Sequence, residues 1–328
     1  MLPLFAAIVA ASTAVLIFAG GMVTSTGSGL SVPDWPNTYG WFMFSFPVDK
    51  WVGGIFYEHS HRLIASTVGF LIMVLAFWLW RAEPRSWVRR LGFLALAAVI
   101  TQGILGGITV LWYLPDAISI AHAGLAEIVF CLTVTIALVT SPGWQRGYAA
   151  GLPDDRTLQK VAIATTASIY LQILLGATMR HTDAGLAIPD FPLAFGHLIP
   201  PHWDAKIAIH FAHRVGALIV TTMILATTAH VLYHHRRRAE LRRPSLLLLT
   251  LVPLQITLGA LTVWSGRQPL INSIHVVTGA SVLVTSLVLT LRAHRARFDE
   301  GALGVRVPRV PPRNPDSLRA HAGAGARA

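Results

Sequence analysis

Residues 57–66 read YEHSHRLIAS, and residues 209–218 read IHFAHRVGAL. Each stretch sets a His-Arg pair at the mouth of a long apolar segment: His61-Arg62 in the first, His213-Arg214 in the second. Glu58 lies three residues before His61, so a helix brings the two onto one face. His210 stands where Glu58 stood. Ionisable side chains are costly to place in lipid, so their presence in such segments points to function.

Outward from this pair the chain is apolar throughout. It has 328 residues, 54% hydrophobic and 12% charged, which is not the composition of an ordinary soluble domain. The apolar residues fall in eight blocks, at about 4–23, 57–80, 91–112, 119–140, 159–178, 206–232, 246–264 and 272–291. Each is about twenty residues, enough to cross roughly 30 Å of hydrocarbon. Backbone in lipid must hydrogen-bond to itself, so each block is expected to be a helix.

The His-Arg repeat is part of a longer one. Residues 27–40 read GSGLSVPDWPNTYG and residues 183–196 read DAGLAIPDFPLAFG, with Pro33, Asp34, Pro36 and Gly40 answered by Pro189, Asp190, Pro192 and Gly196. QGILGGIT (102–109) is answered by QITLGALT (255–262), and each glutamine precedes a further histidine, His122 or His275, by twenty residues. QILLGAT (172–178) echoes the same motif. Four helices per repeat give both halves one orientation, related by an axis along the membrane normal. The expected fold is an all-α membrane protein whose eight transmembrane helices form two pseudo-twofold-related four-helix bundles. The halves are 1–140 and 159–295, joined by a cytoplasmic loop at 141–158 and followed by a disordered basic tail at 296–328.

The net charge of +11 could indicate nucleic acid, but its placement argues against that. Basic residues fill alternate loops: Arg81, Arg85, Arg89 and Arg90; Arg146, Arg156 and Lys160; Arg236, Arg237, Arg238, Arg242 and Arg243; then the tail. This is the positive-inside pattern. It puts both termini in the cytoplasm and the loops at 24–56 and 179–205 outside. The N-terminus enters its first helix directly, without a basic leader or cleavage site, which fits a bacterial cytoplasmic membrane. Membrane lipid is the expected surrounding partner, and nucleic acid is not. The single cysteine, Cys131, excludes an internal disulfide.

His61, His122, His213 and His275 each lie near the outer end of an even-numbered helix, at matched depth. If the even helices face each other, each half offers two imidazoles across a bundle interior. Zinc would need three or four ligands. Two opposed nitrogens beside glycine-rich helices suit an iron porphyrin, with Gly103, Gly106, Gly107, Gly124, Gly259 and Gly279 leaving room for the ring. Arg62 and Arg214 can pair with propionates or extend to the interface. Glu58 can move protons during oxidation or form a salt bridge with Arg62. Glu127 admits the same two readings.

With these residues the chain resembles the heme A synthase family. The eight helices, the GLSVPDWP and GLAIPDFP loops, the ExxHR motif at Glu58–Arg62, its HxxHR partner at His210–Arg214 and the single histidines His122 and His275 carry the resemblance over about 1–295. It implies an oxidoreductase that converts heme O to heme A for cytochrome oxidase, oxidising the C8 methyl to a formyl by successive hydroxylations. By motif, His61 and His122 would flank the substrate heme and Glu58 would serve the chemistry. His213 and His275 would ligate a heme b. A heme O synthase and an electron donor are the implied partners, and the oligomeric state stays open. Two features depart from the family: the first loop lacks the cysteine pair of some members, and Thr24-Ser25-Thr26 stands where many carry an arginine, although Arg180 occupies the repeat position.

Three other functions compete. A bis-histidine heme b cytochrome would transfer electrons without modifying heme. A repeat transporter would place its site near the midplane. A heme O synthase would need a DxxxD motif for diphosphate-bound magnesium, which the chain lacks.

Overall fold

The structure is a computed structural model that describes residues 1–145 and 155–295. The expected tail at 296–328, and residues 146–154 of the expected linker, lie outside the described residues.

Among the described residues, eight helices are long and apolar enough to cross a membrane, as expected of a multi-pass membrane protein. They are α1 (Leu2–Ser25), α2 (Gly53–Ala82), α3 (Ser86–Leu111), α4 (Asp116–Thr140), α5 (Arg156–His181), α6 (Ala205–His234), α7 (Ala239–Trp264) and α8 (Pro269–Ala293). All eight expected blocks are found, and most run several residues further at one or both ends. Apolarity marks the part of a helix inside hydrocarbon, whereas the helix itself continues until its end groups are satisfied. The largest difference is α7, which begins at Ala239 rather than 246 and carries Glu240, Arg242, Arg243 and Pro244 in its early turns. Pro142–Gln145 forms one helical turn, and α5 starts at Arg156, capped by the Asp155 carboxylate.

Within residues 1–140, α1 packs on α2, α2 on α3, α3 on α4, and α4 back on α1. The same ring closes again as α5 on α6, α6 on α7, α7 on α8 and α8 on α5. Two apolar cores follow this division. One holds Val9, Ile72, Leu79, Val88 and Ile136; the other holds Leu158, Ile224, Val231, Leu248 and Leu289. A third, smaller cluster of Ile17, Phe130, Ala280 and Val284 lies where α1 and α4 meet α8. Hydroxyl pairs add polar contacts inside the second ring: Thr165–Thr227 at 2.8 Å between α5 and α6, and Thr166–Ser286 at 2.8 Å between α5 and α8. Such pairs join helices where lipid supplies no hydrophobic drive.

In the ring order α2 and α4 are diagonal, as are α6 and α8. His61 stands eight residues into α2, His122 six into α4, His213 eight into α6 and His275 six into α8. The helices begin earlier than the apolar blocks, so the histidines lie deeper than expected. Their depths still agree to about 3 Å at 1.5 Å per residue.

Candidate heme-binding site

Each of the four imidazoles lies against a glycine of the preceding odd-numbered helix. A Cβ built on Gly20 of α1 would stand 3.0 Å from His61 Cε1; on Gly106 of α3, 3.1 Å from His122 Cε1. On Gly176 of α5 it would stand 2.9 Å from His213 Cε1, and on Gly259 of α7, 3.2 Å from His275 Cε1. The glycine motifs thus make space for the histidines themselves. Among the glycines expected to clear room for a porphyrin, Gly106 and Gly259 do this, Gly103 faces open space, Gly107 receives the Trp35 ring, Gly124 meets Leu174 and Gly279 meets Gln255. Gly20 and Gly176 complete the set. Gly20 escaped the sequence reading because it lies outside any glutamine motif.

The glutamines of the repeat hold the same histidines. Gln102 Nε2 donates to the His122 carbonyl at 2.9 Å, and Gln172 Nε2 to the His213 carbonyl at 2.7 Å. Gln255 Nε2 lies 3.4 Å from His275 Nε2. The Nδ1 atoms of His61, His122 and His275 are buried without a hydrogen-bond partner. A buried polar atom left unpaired costs roughly 1–3 kcal/mol, so three at repeated positions mark a site rather than a flaw in packing. Within each half the two imidazoles are close enough to interact electrostatically, His61 with His122 and His213 with His275. None of the four is bonded to a carboxylate or thiolate among the described residues. Two imidazoles and no hard or soft anionic ligand fit an iron porphyrin better than zinc. Ligation by His213 Nε2 would require Nδ1 to carry the proton, and so the Gln172 contact at 3.0 Å to that atom to open.

Over each pair lies one of the repeated loops, and the His-Arg motif holds it down. Arg62 donates to the carbonyls of Val32 at 2.8 Å, Asp34 at 2.7 Å and Asn37 at 2.9 Å, and to Glu58 Oε1 at 2.6 Å. Arg214 donates to the carbonyls of Ile188, Asp190 and Leu193 at 3.2, 2.6 and 2.7 Å. Both guanidinium groups therefore bind loop backbone, a use the sequence did not reveal. Glu58 Oε2 accepts the Val32 N–H at 2.8 Å. His210 Nδ1 accepts the Ile188 N–H at 3.2 Å. The loop turns match as well. Asp34 accepts from the N–H groups of Tyr39 and Gly40, at 2.7 and 2.8 Å, and Asp190 from those of Phe195 and Gly196, at 2.7 and 2.8 Å. Tyr39 and Phe195 both have positive φ, near 50° and 55°. Burial tends to raise the Asp34 carboxyl, but these N–H groups and Arg62 outweigh it and hold it below the usual value. The Gly196 N–H leads the same lowering at Asp190.

His59 and Phe211 are equivalent too. His59 sits under Trp51 with ring centroids 4.7 Å apart, and Phe211 under Trp203 at 5.4 Å. His59 also hydrogen-bonds Thr38 at 3.1 Å, so its place is structural. Arg180, at the repeat position of Thr24, reaches across to α1 and donates to Gly21 O and Ser25 Oγ, each at 2.7 Å. Ser25 also meets Ser273 at 3.1 Å, so this knot ties α5, α1 and α8 at the end of the bundle that carries the repeated loops. Glu127 is buried with Oε2 unpartnered, one turn from Cys131.

The sequence pattern of the COX15-CtaA family, cytochrome oxidase assembly proteins, matches residues 4–288. The chain belongs to this family. Among curated members, it is 32% identical to the Heme A synthase of Symbiobacterium thermophilum over 262 residues, covering 76% of this chain and 83% of that one. It is 30% identical to the Heme A synthase of Lysinibacillus sphaericus over 253 residues, covering 76% and 80%. With the Heme A synthase of Geobacillus kaustophilus the identity is 29% over 289 residues, covering 86% and 89%. The family match takes in both repeated loops, all four glycine-backed histidines and both His-Arg clamps.

Proposed function

We propose that the protein is a heme A synthase, which oxidises the C8 methyl of heme O to the formyl of heme A for use by cytochrome oxidase. The observation that carries this reading is the fourfold packing of an imidazole on a glycine, in two diagonal pairs at one depth. His61 and His122 hold the substrate heme O, and His213 and His275 hold a heme b. The ring order α1–α4, repeated by α5–α8, supports a pseudo-twofold relation between the two sites. When bound, the iron porphyrins supply the redox chemistry.

The chain's own residues position the substrate, cover it and handle protons. Arg62 and Glu58 fix the 27–40 loop above the first pair, and Trp35 of that loop closes against Gly107. Arg214 and His210 fix the second loop. Arg62 and Arg214 therefore frame the sites through the loops, and contact with propionates is left to donors they do not spend there. Glu58 Oε1 is the proton-accepting atom. Arg62 keeps three carbonyl acceptors if Oε1 turns from it, and Oε2 keeps the Val32 N–H, so protonation leaves the loop in place. General acid–base groups of this kind contribute about 10²–10⁴-fold.

The basic loops put both termini in the cytoplasm of a bacterial cell and the histidines toward the outer face. Reporter fusions at Arg90 and His235 would read cytoplasmic on this topology. A heme O synthase is the natural source of substrate, and an electron donor must complete the reaction.

A second reading is a bis-histidine heme b cytochrome that does not modify heme. One observation favours it: His210 accepts the same loop N–H as Glu58, so a structural duty accounts for both residues. Half-specific variants decide between the two. On the synthase reading His213→Ala removes heme b, while His61→Ala leaves heme b and stops heme A formation. Two equal, unmodified heme b sites would support the cytochrome.

A further inference from the structure

At the far end of α6 from the heme histidines stands a second cluster. His230 lies seventeen residues beyond His213, about 25 Å along the helix axis. Its Nε2 lies 2.7 Å from Asp155 Oδ2, and His235 Nε2 lies 2.7 Å from the same oxygen. The three ligand atoms all lie within 4.8 Å of one another. On a continuous helix, residues five apart point about 140° away from each other. The two rings converge only because α6 ends at His234 and His235 turns back in a non-helical conformation.

Asp155 has a duty already: Oδ1 accepts the Leu158 N–H at 2.9 Å and caps α5. The cap needs one oxygen, and the other is left to the imidazoles. The fold does not need histidines to make this join. In the first half the repeat position of His230 is Trp78, and Trp78 meets Phe5 with ring centroids 5.5 Å apart, tying the start of α1 to the end of α2. The second half makes the same junction with metal-ligand chemistry.

We propose that Asp155, His230 and His235 bind a divalent transition metal of the zinc class, which clasps the start of α5 to the end of α6. Two imidazole nitrogens and a carboxylate oxygen are a zinc donor set, with a fourth position for water. Zinc bonds of about 2.0–2.1 Å put tetrahedral ligands about 3.3 Å apart. Each 2.7 Å contact must therefore lengthen by about 0.6 Å, a small rotation for three side chains at helix ends. Asp155 and His230 are about one-fifth exposed (21% and 23%), so an ion can enter. The His234 ring lies tilted against that of His230, with centroids 4.6 Å apart, and is exposed at the rim, where it can replace the water. Magnesium, which prefers oxygen ligands, does not suit the set. Arg236, Arg237 and Arg238 follow directly and oppose a cation. The bound cluster carries +1, however, the same charge as the carboxylate with both imidazoles protonated.

The test uses the purified full chain with its hemes in place. The protein is stripped with chelator, equilibrated against micromolar zinc chloride and analysed for metal content and Tm. Wild type is expected to hold one zinc per chain and to melt at least about 2–4 °C higher with zinc, with no response to magnesium. His230→Trp, which copies the first half, is expected to lose the zinc and the shift. Asp155→Asn, which keeps an oxygen for Leu158, is expected to bind at least tenfold more weakly. Heme content serves as the check on folding, and Asp155→Asn gives the reading if His230→Trp does not fold. Wild type that holds no zinc, or variants that hold as much as wild type, would overturn the proposal.

Discussion

Glu58 and His210 occupy the same place in the two halves and accept the same backbone hydrogen bond. Glu58 Oε2 takes the Val32 N–H at 2.8 Å, and His210 Nδ1 takes the Ile188 N–H at 3.2 Å. Both hold a Gly-Pro-Asp loop over a pair of histidines. What remains distinct in the first half is the second carboxylate oxygen, paired with Arg62 at 2.6 Å.

That distinction separates anchoring from chemistry. Glu58→Gln keeps an oxygen for the Val32 N–H and loses the ionisable group. It is expected to fold and load heme normally while forming heme A about 100-fold more slowly or worse. Glu58→Ala is expected to lose heme A formation and also to loosen the loop. Turnover measured beside heme content checks both.

The glycine contacts predict an inversion of the usual stability rule. Inside a helix, Gly→Ala ordinarily stabilises by about 0.8–1 kcal/mol. Gly176→Ala sets a methyl 2.9 Å from the His213 ring and Gly259→Ala one 3.2 Å from His275. Each is expected to lower heme b content with little loss of helical structure. Optical spectra compared with circular dichroism will show whether heme and fold separate in this way.

Arg62 is buried, and three loop carbonyls and Glu58 depend on it. Arg62→Ala leaves Glu58 buried without its partner, a loss of about 3 kcal/mol. Hydrogen exchange at Tyr39 and Gly40 is expected to quicken by roughly 100-fold, while the interior of α2 exchanges as before.

The Asp34 and Asp190 turns set an acid limit on the loops. Both carboxyls are held below the ordinary value of 3.8. A lowered folded pKa contributes stability that is present above the unfolded value and lost as pH falls through the folded one. Exchange at Tyr39, Gly40, Phe195 and Gly196, corrected for intrinsic rates, should therefore be flat from pH 8 to about 5. It should rise only below about pH 4, and Asp34→Asn and Asp190→Asn should abolish the rise at their own loops.

The sequence carried the helices and the matched histidines because lipid leaves so few ways to satisfy a backbone and because the chain states its motifs twice. It did not carry the helix ends, since α7 starts among charged residues that hydropathy excludes. Gly176 was legible within QILLGAT and Gly20 lay in no motif, but what faced either one was not legible, because a glycine says nothing of the partner across the gap. Arg62 and Arg214 bind loop residues 21 to 30 positions away, a reach no local pattern records. The Asp155 cluster was hidden for a related reason: Asp155 lies in the 141–158 loop, 75 and 80 positions from the His230 and His235 that meet it at the end of α6.

The most direct measurement is extraction and chromatography of the hemes from wild-type protein co-expressed with a source of heme O. The account predicts heme A, or a hydroxylated form on the way to it, beside heme b, with unreacted heme O in its place in Glu58→Gln. Heme b alone, in equal amount in both proteins, would contradict it and leave an electron-transfer cytochrome.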